Sequence, residues 1–292
     1  MLITKLLLIS TFHGEGLVHD MKATEYFTVH QPFANVYHIE DRLGVYATLL
    51  VGSERALLVD TGAGIGDLRA AVARLTDKPL TVVNTHGHID HFGGNYQFDR
   101  VLINPKEKAI AHHSLALLDI RRIVLDQMTK EECVPQGFDR KAYLAYDFAN
   151  LAALEEDEAF DLGGLTVRCV PMPSHTPGMT GFYIDELKLL LGGDSVCAMT
   201  CLYFEEASDI ETHLEMLRRV RALPFEHILA SHSKQLMDRD DFAAFIECAE
   251  NYDESKTVRY RDPYYPNYGG RMFVYENSKG NVAIIVYNKK RR

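Results

Sequence analysis

The chain has 292 residues, of which 47% are hydrophobic and 25% charged, a composition typical of a globular enzyme with a substantial core. Its formal net charge of −10 argues against a protein that binds nucleic acids, since such proteins concentrate Lys and Arg on one face. No apolar run approaches the roughly 20 residues that a helix needs to span a bilayer, so we expect no membrane partner.

Residues 1–25 show no clear hydrophobic period, and we interpret them as an N-terminal extension before a single domain over 26–292. The apolar segment near the start is short and is followed by no small-residue cleavage site, so it does not match a secretory signal peptide. The five cysteines form no CxxC pair, which excludes a cysteine-rich zinc site and favours a reducing compartment. We therefore expect a cytoplasmic protein.

The pattern in the first half of the domain predicts a group of antiparallel strands, then a helix and a further strand. Short apolar segments over 36–39, 45–51 and 55–59 are separated by turn residues, which predicts antiparallel strands joined by hairpins. Helical spacing over 68–75 then leads to an apolar strand over 80–84. A short helix over 95–98 and a strand over 101–104 follow.

Residues 105–158 read as a helical insertion over one rim of the fold, with helices over 109–120 and 141–154. Its role is open between a lid that shapes substrate access and a structural layer. Beyond it the pattern predicts strands over 165–170, 187–191 and 227–230 and helices over 210–223 and 240–250. The aromatic tail 262–292 contains a predicted hairpin of 271–276 with 281–287, which could form a sheet edge, a pocket wall or a dimer contact.

A dense polar string follows the strand over 80–84, and it contains His86, His88, Asp90 and His91. Three later residues also stand just after predicted strands, namely His175, Asp194 and His232. Imidazole and carboxylate ligands without thiolates suit zinc, or iron and manganese with less selectivity. One tetrahedral ion takes at most four ligands, so seven candidates favour two divalent metal ions. By contrast, His112, His113 and His213 lie on predicted helices and are expected at the surface.

This set of motifs resembles the metallo-β-lactamase superfamily, with its HxHxDH string, a later His in a Thr-Pro-Gly loop, a bridging Asp and a last His. The match covers about 36–235, and the four motifs together are highly specific. The resemblance implies an α/β fold, a four-layer αββα sandwich, here with the helical insertion. It also implies a first metal held by His86, His88 and His175, a second held by Asp90, His91 and His232, and Asp194 as the bridge. Asp60 matches a family Asp that supports the metal loop, although it could also be a helix N-cap.

The resemblance implies a metal-dependent hydrolase of the glyoxalase II or lactonase type, in which a metal-bridging hydroxide cleaves an ester, thioester, lactone or related bond in a small molecule. Asp90 would also act in catalysis by orienting this nucleophile or carrying its proton. A glutathione thioester is disfavoured because 195–207 contains Glu205 and Glu206 but no Lys or Arg. Tyr203 and Lys234 are possible substrate contacts, and a homodimer is possible.

Two alternatives stay open. An iron-dependent persulfide dioxygenase keeps the histidine string but binds one iron through fewer ligands, and its reaction would be oxidative. A small-molecule phosphodiesterase would use the same two metals on a phosphoryl group, which the acidic balance of the chain does not exclude.

Overall fold

The computed structural model describes residues 26–116, 119–263 and 267–289. The N-terminal extension predicted over 1–25 lies outside the described residues. Within the described ranges, every helix is too short or too polar to cross a membrane.

Three sheets organise the chain, and the first has seven strands in sequence order. They are β1 Thr28–Phe33, β2 Val36–Glu40, β3 Tyr46–Val51, β4 Ala56–Val59, β5 Leu80–Val83, β6 Val101–Ile103 and β7 Leu151–Ala153. Strands β1 to β4 pair antiparallel, whereas β4 to β7 pair parallel. The carboxyl ends of β4, β5 and β6 therefore lie at the same edge of this sheet.

The second sheet has six strands in the order β14-β13-β11-β10-β9-β8. They are β8 Ala159–Asp161, β9 Thr166–Pro171, β10 Thr180–Ile184, β11 Leu189–Gly193, β13 His227–Ala230 and β14 Met237–Asp238. Strands β11 and β13 pair parallel, so the loops that follow them leave the same edge of this sheet.

The third sheet has four strands in the order β12-β17-β16-β15. They are β12 Met199–Leu202, β15 Val258–Arg261, β16 Gly269–Glu276 and β17 Val282–Tyr287. The predicted C-terminal hairpin is present as β16 and β17, which pair antiparallel. Strand β17 also pairs with β12, which follows shortly after Asp194 in the chain. The hairpin therefore belongs to the same sheet as β12.

Helices cover the outside of the two larger sheets. The α-helices are Leu68–Ala73, Ile89–Phe92, Pro105–Ala116, Asp119–Lys130, Arg140–Ala145, Ile210–Val220 and Arg239–Glu250, and Asn95–Gln97 and Glu254–Lys256 are 3₁₀ helices. Acidic side chains cap several of them: Asp209 accepts from the Thr212 amide, and Asp238 with Asp241 forms a reciprocal capping box. These caps satisfy amides that the first helical turn leaves without partners.

Buried side chains define four layers. Val59 of the first sheet and Phe182 of the second belong to one apolar cluster between the two sheets. On the other face of the first sheet, Leu58 packs in a cluster with Leu68 of the helix Leu68–Ala73. On the outer face of the second sheet, Ile228 clusters with residues of the helices Ile210–Val220 and Arg239–Glu250. The predicted four-layer αββα architecture is confirmed.

One predicted helix is wrong over most of its length. The segment predicted as helical over 141–154 is helical only as far as Ala145, and it ends in strand β7. Tyr146 is extended and ends the helix, and Phe148 beyond it has a φ of 63°. The side-chain amide of Asn150 donates to the carbonyls of Asn95 and Phe98 at 2.8 and 2.7 Å. These contacts align β7 beside β6, a pairing between distant residues that helical periodicity does not indicate.

Candidate metal centre

The site lies where loops from both large sheets meet. After β5 the chain passes through His86 and enters the helix Ile89–Phe92, with His88 at its N-cap position. His175 follows β9, Asp194 directly follows β11, and His232 follows β13. The strand ends that sequence spacing singled out therefore supply side chains to one place.

Seven side chains form overlapping groups that could hold metal ions. Within each group, ligand atoms lie within 4.8 Å of one another, and the groups are His86, His88 and His175; His86, His91 and Asp194; and Asp90, His91 and His232. The first and third groups share no residue. All seven sequence candidates are thus brought together, and the grouping offers two adjacent positions for a cation.

Hydrogen bonds to Asp60 orient two of the imidazoles. Its carboxylate accepts from His91 Nδ1 at 2.9 Å, from Thr85 Oγ1 at 2.8 Å and from the Thr85 amide at 2.7 Å. Because Thr85 donates its hydroxyl proton to Asp60, its oxygen accepts from His86 Nδ1 at 3.0 Å. Both rings therefore carry a proton on Nδ1 and turn Nε2 towards the site.

Asp60 has a φ of 65°, a left-handed conformation that short polar residues tolerate. This turn directs its carboxylate from the end of β4 towards Thr85 and His91. The alternative role of Asp60 as a helix N-cap is wrong, since Asp67 caps the helix Leu68–Ala73.

The imidazoles of His88 and His175 are held in the same manner by different partners. His88 Nε2 donates to Glu206 Oε1 at 2.6 Å, and His175 Nδ1 donates to the carbonyl of Cys201 at 2.7 Å. This leaves His88 Nδ1 and His175 Nε2 with lone pairs, and these two nitrogens are 2.9 Å apart. Two lone pairs at that distance repel unless a cation or a proton lies between them.

Three polar atoms that face the site have no hydrogen-bond partner among the described residues. They are the buried atoms His86 Nε2, His91 Nε2 and Asp194 Oδ1. A buried polar atom without a partner costs free energy, and a cation held by these atoms would remove that cost. The residues present therefore fit divalent metal ions, whose preferred ligands are neutral imidazole nitrogens and carboxylate oxygens.

Electrostatics at the site divides the histidines. Burial lowers the pKa of His86 well below its usual range and that of His175 to about 4, so both rings are neutral at neutral pH. Burial also works to lower the pKa of His91, but the charges of Asp90, Asp194 and Asp60 outweigh it and raise the pKa. A metal ion would displace the proton that these carboxylates attract.

Asp194 and Asp90 connect the two groups of ligands. Asp194 Oδ2 lies 3.2 Å from His232 Nε2, 3.6 Å from His91 Nε2 and 3.7 Å from His175 Nε2. Asp90 Oδ2 lies 3.5 Å from the Nε2 atoms of both His91 and His232. Asp194 therefore reaches both groups, whereas Asp90 belongs to the second.

Two glutamates near the site were not predicted as functional. The buried Glu107 accepts from the Gly87 amide at 2.8 Å and from the Gly178 amide at 2.6 Å, which ties together the loops that carry His88 and His175. Glu206, which holds His88, was noted in the sequence only for its charge. The sequence gives little indication of this contact, because His88 and Glu206 are separated by 118 positions.

The predicted substrate contacts lie in different surroundings. Tyr203 lines the cavity beside the site, and its hydroxyl donates to Asp262. Lys234 is exposed, and it is not among the described residues that line this cavity. The surface prediction is wrong for His213, which is buried with Nδ1 2.6 Å from Ser174 Oγ next to His175.

A cavity of about 700 Å³ opens beside the ligand cluster and is lined in part by His88, Asp90, His175, Asp194 and His232. This volume suits a small-molecule ligand. Residues of the helices Pro105–Ala116 and Asp119–Lys130 line it, and so do residues of β12, of β15 and of the segments beside these strands. The predicted insertion and the aromatic tail thus both reach the cavity.

Comparison with known proteins gives one family. The model of the metallo-β-lactamase superfamily matches residues 41–232. The bovine protein named acyl-coenzyme A thioesterase MBLAC2 is 29% identical over 162 residues, which are 51% of this chain and 57% of that protein. The hydroxyacylglutathione hydrolase of Methylococcus capsulatus is 30% identical over 166 residues, which are 57% of this chain and 52% of that protein. The chain thus spans little more than half the length of these curated relatives.

Solved structures share the fold. A metallo-β-lactamase from Pontibacter korlensis superposes with a TM-score of 0.56 at 17% identity, over 77% of this chain and all of that one. A superfamily protein from Sulfolobus tokodaii superposes with a TM-score of 0.52 at 20% identity. At these identities the likeness concerns the fold alone.

Proposed function

The chain belongs to the metallo-β-lactamase superfamily, and from this premise we propose that it is a metal-dependent hydrolase of thioesters or related esters and lactones in a small molecule. The observation that carries the proposal is the convergence of seven imidazole and carboxylate side chains on one place, where three buried ligand atoms have no hydrogen-bond partner among the described residues. The names of the bovine and Methylococcus relatives support a thioester among the possible bonds.

In this proposal His86, His88 and His175 hold one divalent ion, and Asp90, His91 and His232 hold a second, with Asp194 shared between them. Zinc suits these ligands, and iron or manganese are possible. Bound metal ions would activate a water molecule near neutral pH and polarise the carbonyl oxygen of the substrate.

The side chains of the chain itself supply orientation and proton transfer. Asp60, Thr85, Glu206 and the Cys201 carbonyl hold the imidazoles so that their lone pairs face the cavity. The Asp90 side chain is 30% exposed, so its carboxylate can accept a proton from water in the cavity and return it to the leaving group.

The five free cysteines support a reducing compartment, and we propose the cytoplasm. A small molecule is the proposed substrate, since the ligand cluster opens into a cavity of about 700 Å³.

The test is a panel of lactones, thioesters, aryl esters and phosphodiesters on metal-reconstituted protein, with the metal-to-chain ratio measured on the same sample. We expect about two metal ions per chain and turnover of a thioester, ester or lactone that chelation and His88→Ala both abolish. The proposal would be contradicted if the purified protein carries no transition metal and the His88→Ala variant hydrolyses the panel as well as the parent does. Oxygen consumption with a persulfide and one iron per chain would favour an oxidoreductase, and turnover of phosphodiesters alone would favour a phosphodiesterase.

A further inference from the structure

The cavity beside the candidate metal centre has one apolar side, which we call the helical wall. It consists of Ala109, Ile110, Ile120, Ile123 and Val124, and the polar His113 and Gln127 of the same two helices also line the cavity. Ile123 is 45% exposed and lines the cavity, so its side chain is accessible to a molecule bound there. The helical wall therefore suits a hydrocarbon chain.

A second group of lining residues, which we call the aromatic wall, consists of the rings of Tyr203, Phe204, Tyr260 and Tyr268. Phe204 lies 4.5 Å from Tyr203 and 5.4 Å from Tyr268 between ring centroids, so the rings form one continuous group. Aromatic faces attract uncharged and cationic groups, and their π-electrons do not favour anions.

Three carboxylates stand among these rings, namely Glu205, Glu206 and Asp262. Glu205 is exposed, Glu206 accepts from His88 at 2.6 Å, and Asp262 accepts from the Tyr203 hydroxyl. Among the described residues that line the cavity, none is Lys or Arg. A phosphate or carboxylate on a bound molecule would meet like charge here without the basic partners that normally hold such groups.

We propose that this cavity selects molecules in which an apolar acyl chain is joined to a neutral or cationic head group, and that it rejects the anionic thioesters of coenzyme A and glutathione. As a statement about substrates it rests on the proposed hydrolase function. The acyl chain lies along the helical wall, and the head group lies against the aromatic wall. The scissile carbonyl then falls between the two walls, where the candidate ligands line the cavity.

The experiment compares four octanoyl thioesters that share the acyl group and differ in the head group: coenzyme A, glutathione, N-acetylcysteamine and thiocholine. On the metal-loaded full chain we expect kcat/KM to be about tenfold or more higher for the neutral and cationic thioesters than for the two anionic ones.

Binding is measured in parallel by calorimetry with the four matched octyl thioethers, which cannot be hydrolysed. The same order of affinity is expected. A coenzyme A thioether that binds as tightly as the N-acetylcysteamine thioether would overturn the proposal, and so would the absence of binding by all four. If the thioethers bind in the expected order while no thioester is hydrolysed, the hydrolase function fails and the charge selection stands.

Two charge-reversal variants test whether the selection between head groups arises inside the cavity. Glu205→Lys is expected to raise the ratio of coenzyme A thioether affinity to N-acetylcysteamine thioether affinity by about threefold or more. Glu215→Lys makes the same change in net charge on an exposed position of the helix Ile210–Val220, outside the cavity lining, and should leave this ratio unchanged. Equal ratios in the two variants would assign the selection to net charge and refute a role of the aromatic wall.

Discussion

Single hydrogen bonds decide which atom each histidine presents to the cavity. In four of the five site histidines, one ring nitrogen is bonded to a carboxylate, hydroxyl or carbonyl, and the other faces the site. Such bonds fix the tautomer and raise the basicity of the ligand nitrogen. The partner of His88 is Glu206, whose pKa is lowered to about 2, because the hydrogen bond and the charge of His88 outweigh the effect of burial.

Glu206→Gln is therefore expected to weaken the binding of one metal ion by about 10- to 100-fold, because a neutral amide accepts the His88 proton less strongly than a carboxylate. Competition with a chromophoric chelator measures this affinity. Glu205→Gln is the matched control, since it removes the same charge one position away. Equal losses in the two variants would show that net charge matters and that the contact with His88 does not.

His38 gives a pH dependence of stability that does not involve the candidate ligands themselves. Burial lowers its pKa from 6.5 to about 4, and the ring bonds to Thr48 Oγ1 at 2.9 Å and to the Ser233 carbonyl at 3.1 Å. Because the folded pKa lies below the unfolded value, this stability is present above pH 6.5 and is lost as the pH falls towards 4.

We expect His38→Gln to lose less stability than the parent between pH 6.5 and 4, by a difference of up to roughly 3 kcal/mol in the free energy of unfolding. Urea titrations of both proteins across this range, without metal, provide the measurement. Parallel pH profiles for the two proteins would contradict the assignment.

At the level of elements, the two helices that follow β6 do more than cover a sheet. The helix Pro105–Ala116 contributes Glu107, which joins two ligand loops, and Ile110, which lines the cavity. The helix Asp119–Lys130 adds Ile123 and Val124 to the same wall. The sequence left the role of this segment open between a lid and a structural layer, and its contacts show that it forms part of the cavity.

Ile123→Ser is expected to raise KM for an octanoyl thioester by about tenfold with little change in kcat, because the acyl chain would lose an apolar contact of about 1.4 kcal/mol. An acetyl thioester, too short to reach the helical wall, should be unaffected. Val29→Ser on β1 is the control, since Val29 is exposed to 44% and lies outside the cavity lining. A similar rise in KM for the acetyl thioester would argue against an acyl chain on this wall.

Across the whole molecule, the candidate ligands come from both large sheets. The string from His86 to His91 follows β5 of the first sheet, whereas Asp194 and His232 follow β11 and β13 of the second. Metal ions held by both sets would cross-link the two halves of the sandwich. Metal binding to the folded state alone therefore adds directly to its stability.

The reference is protein at a free metal concentration of about 100 Kd. Relative to it, protein from which a chelator has removed the metal is expected to have a Tm that is lower by about 5 to 10 °C. His232→Ala should lose about half of the gain in Tm that added zinc gives, because it removes a ligand of one ion and leaves His86, His88 and His175 to hold the other. His227→Ala, at the start of the same strand β13, should keep that gain. The same zinc-dependent gain in the parent and in His232→Ala would contradict a metal link through His232.

The sequence by itself determined the ligand candidates and the fold class. His86, His88, Asp90 and His91 lie within six positions, so short chain connectivity alone keeps them close, and strand endings placed His175, Asp194 and His232 at sheet edges. The elements with clear apolar period and caps were also predictable, as the helix Ile210–Val220 and the hairpin of β16 and β17 show.

Only the tertiary structure decided which side chains surround these ligands. Glu206 meets His88 across 118 positions, and Glu107 meets Gly178 across 71. Strand β7 forms where local periodicity predicts a helix, because pairing with β6 outweighs helical propensity. Such contacts depend on how sheets and helices pack, and local patterns carry no information about that packing. For this reason the ligand cluster could be predicted from the sequence, whereas the sequence left open whether the insertion and the aromatic tail line the cavity and did not indicate which of their residues do so.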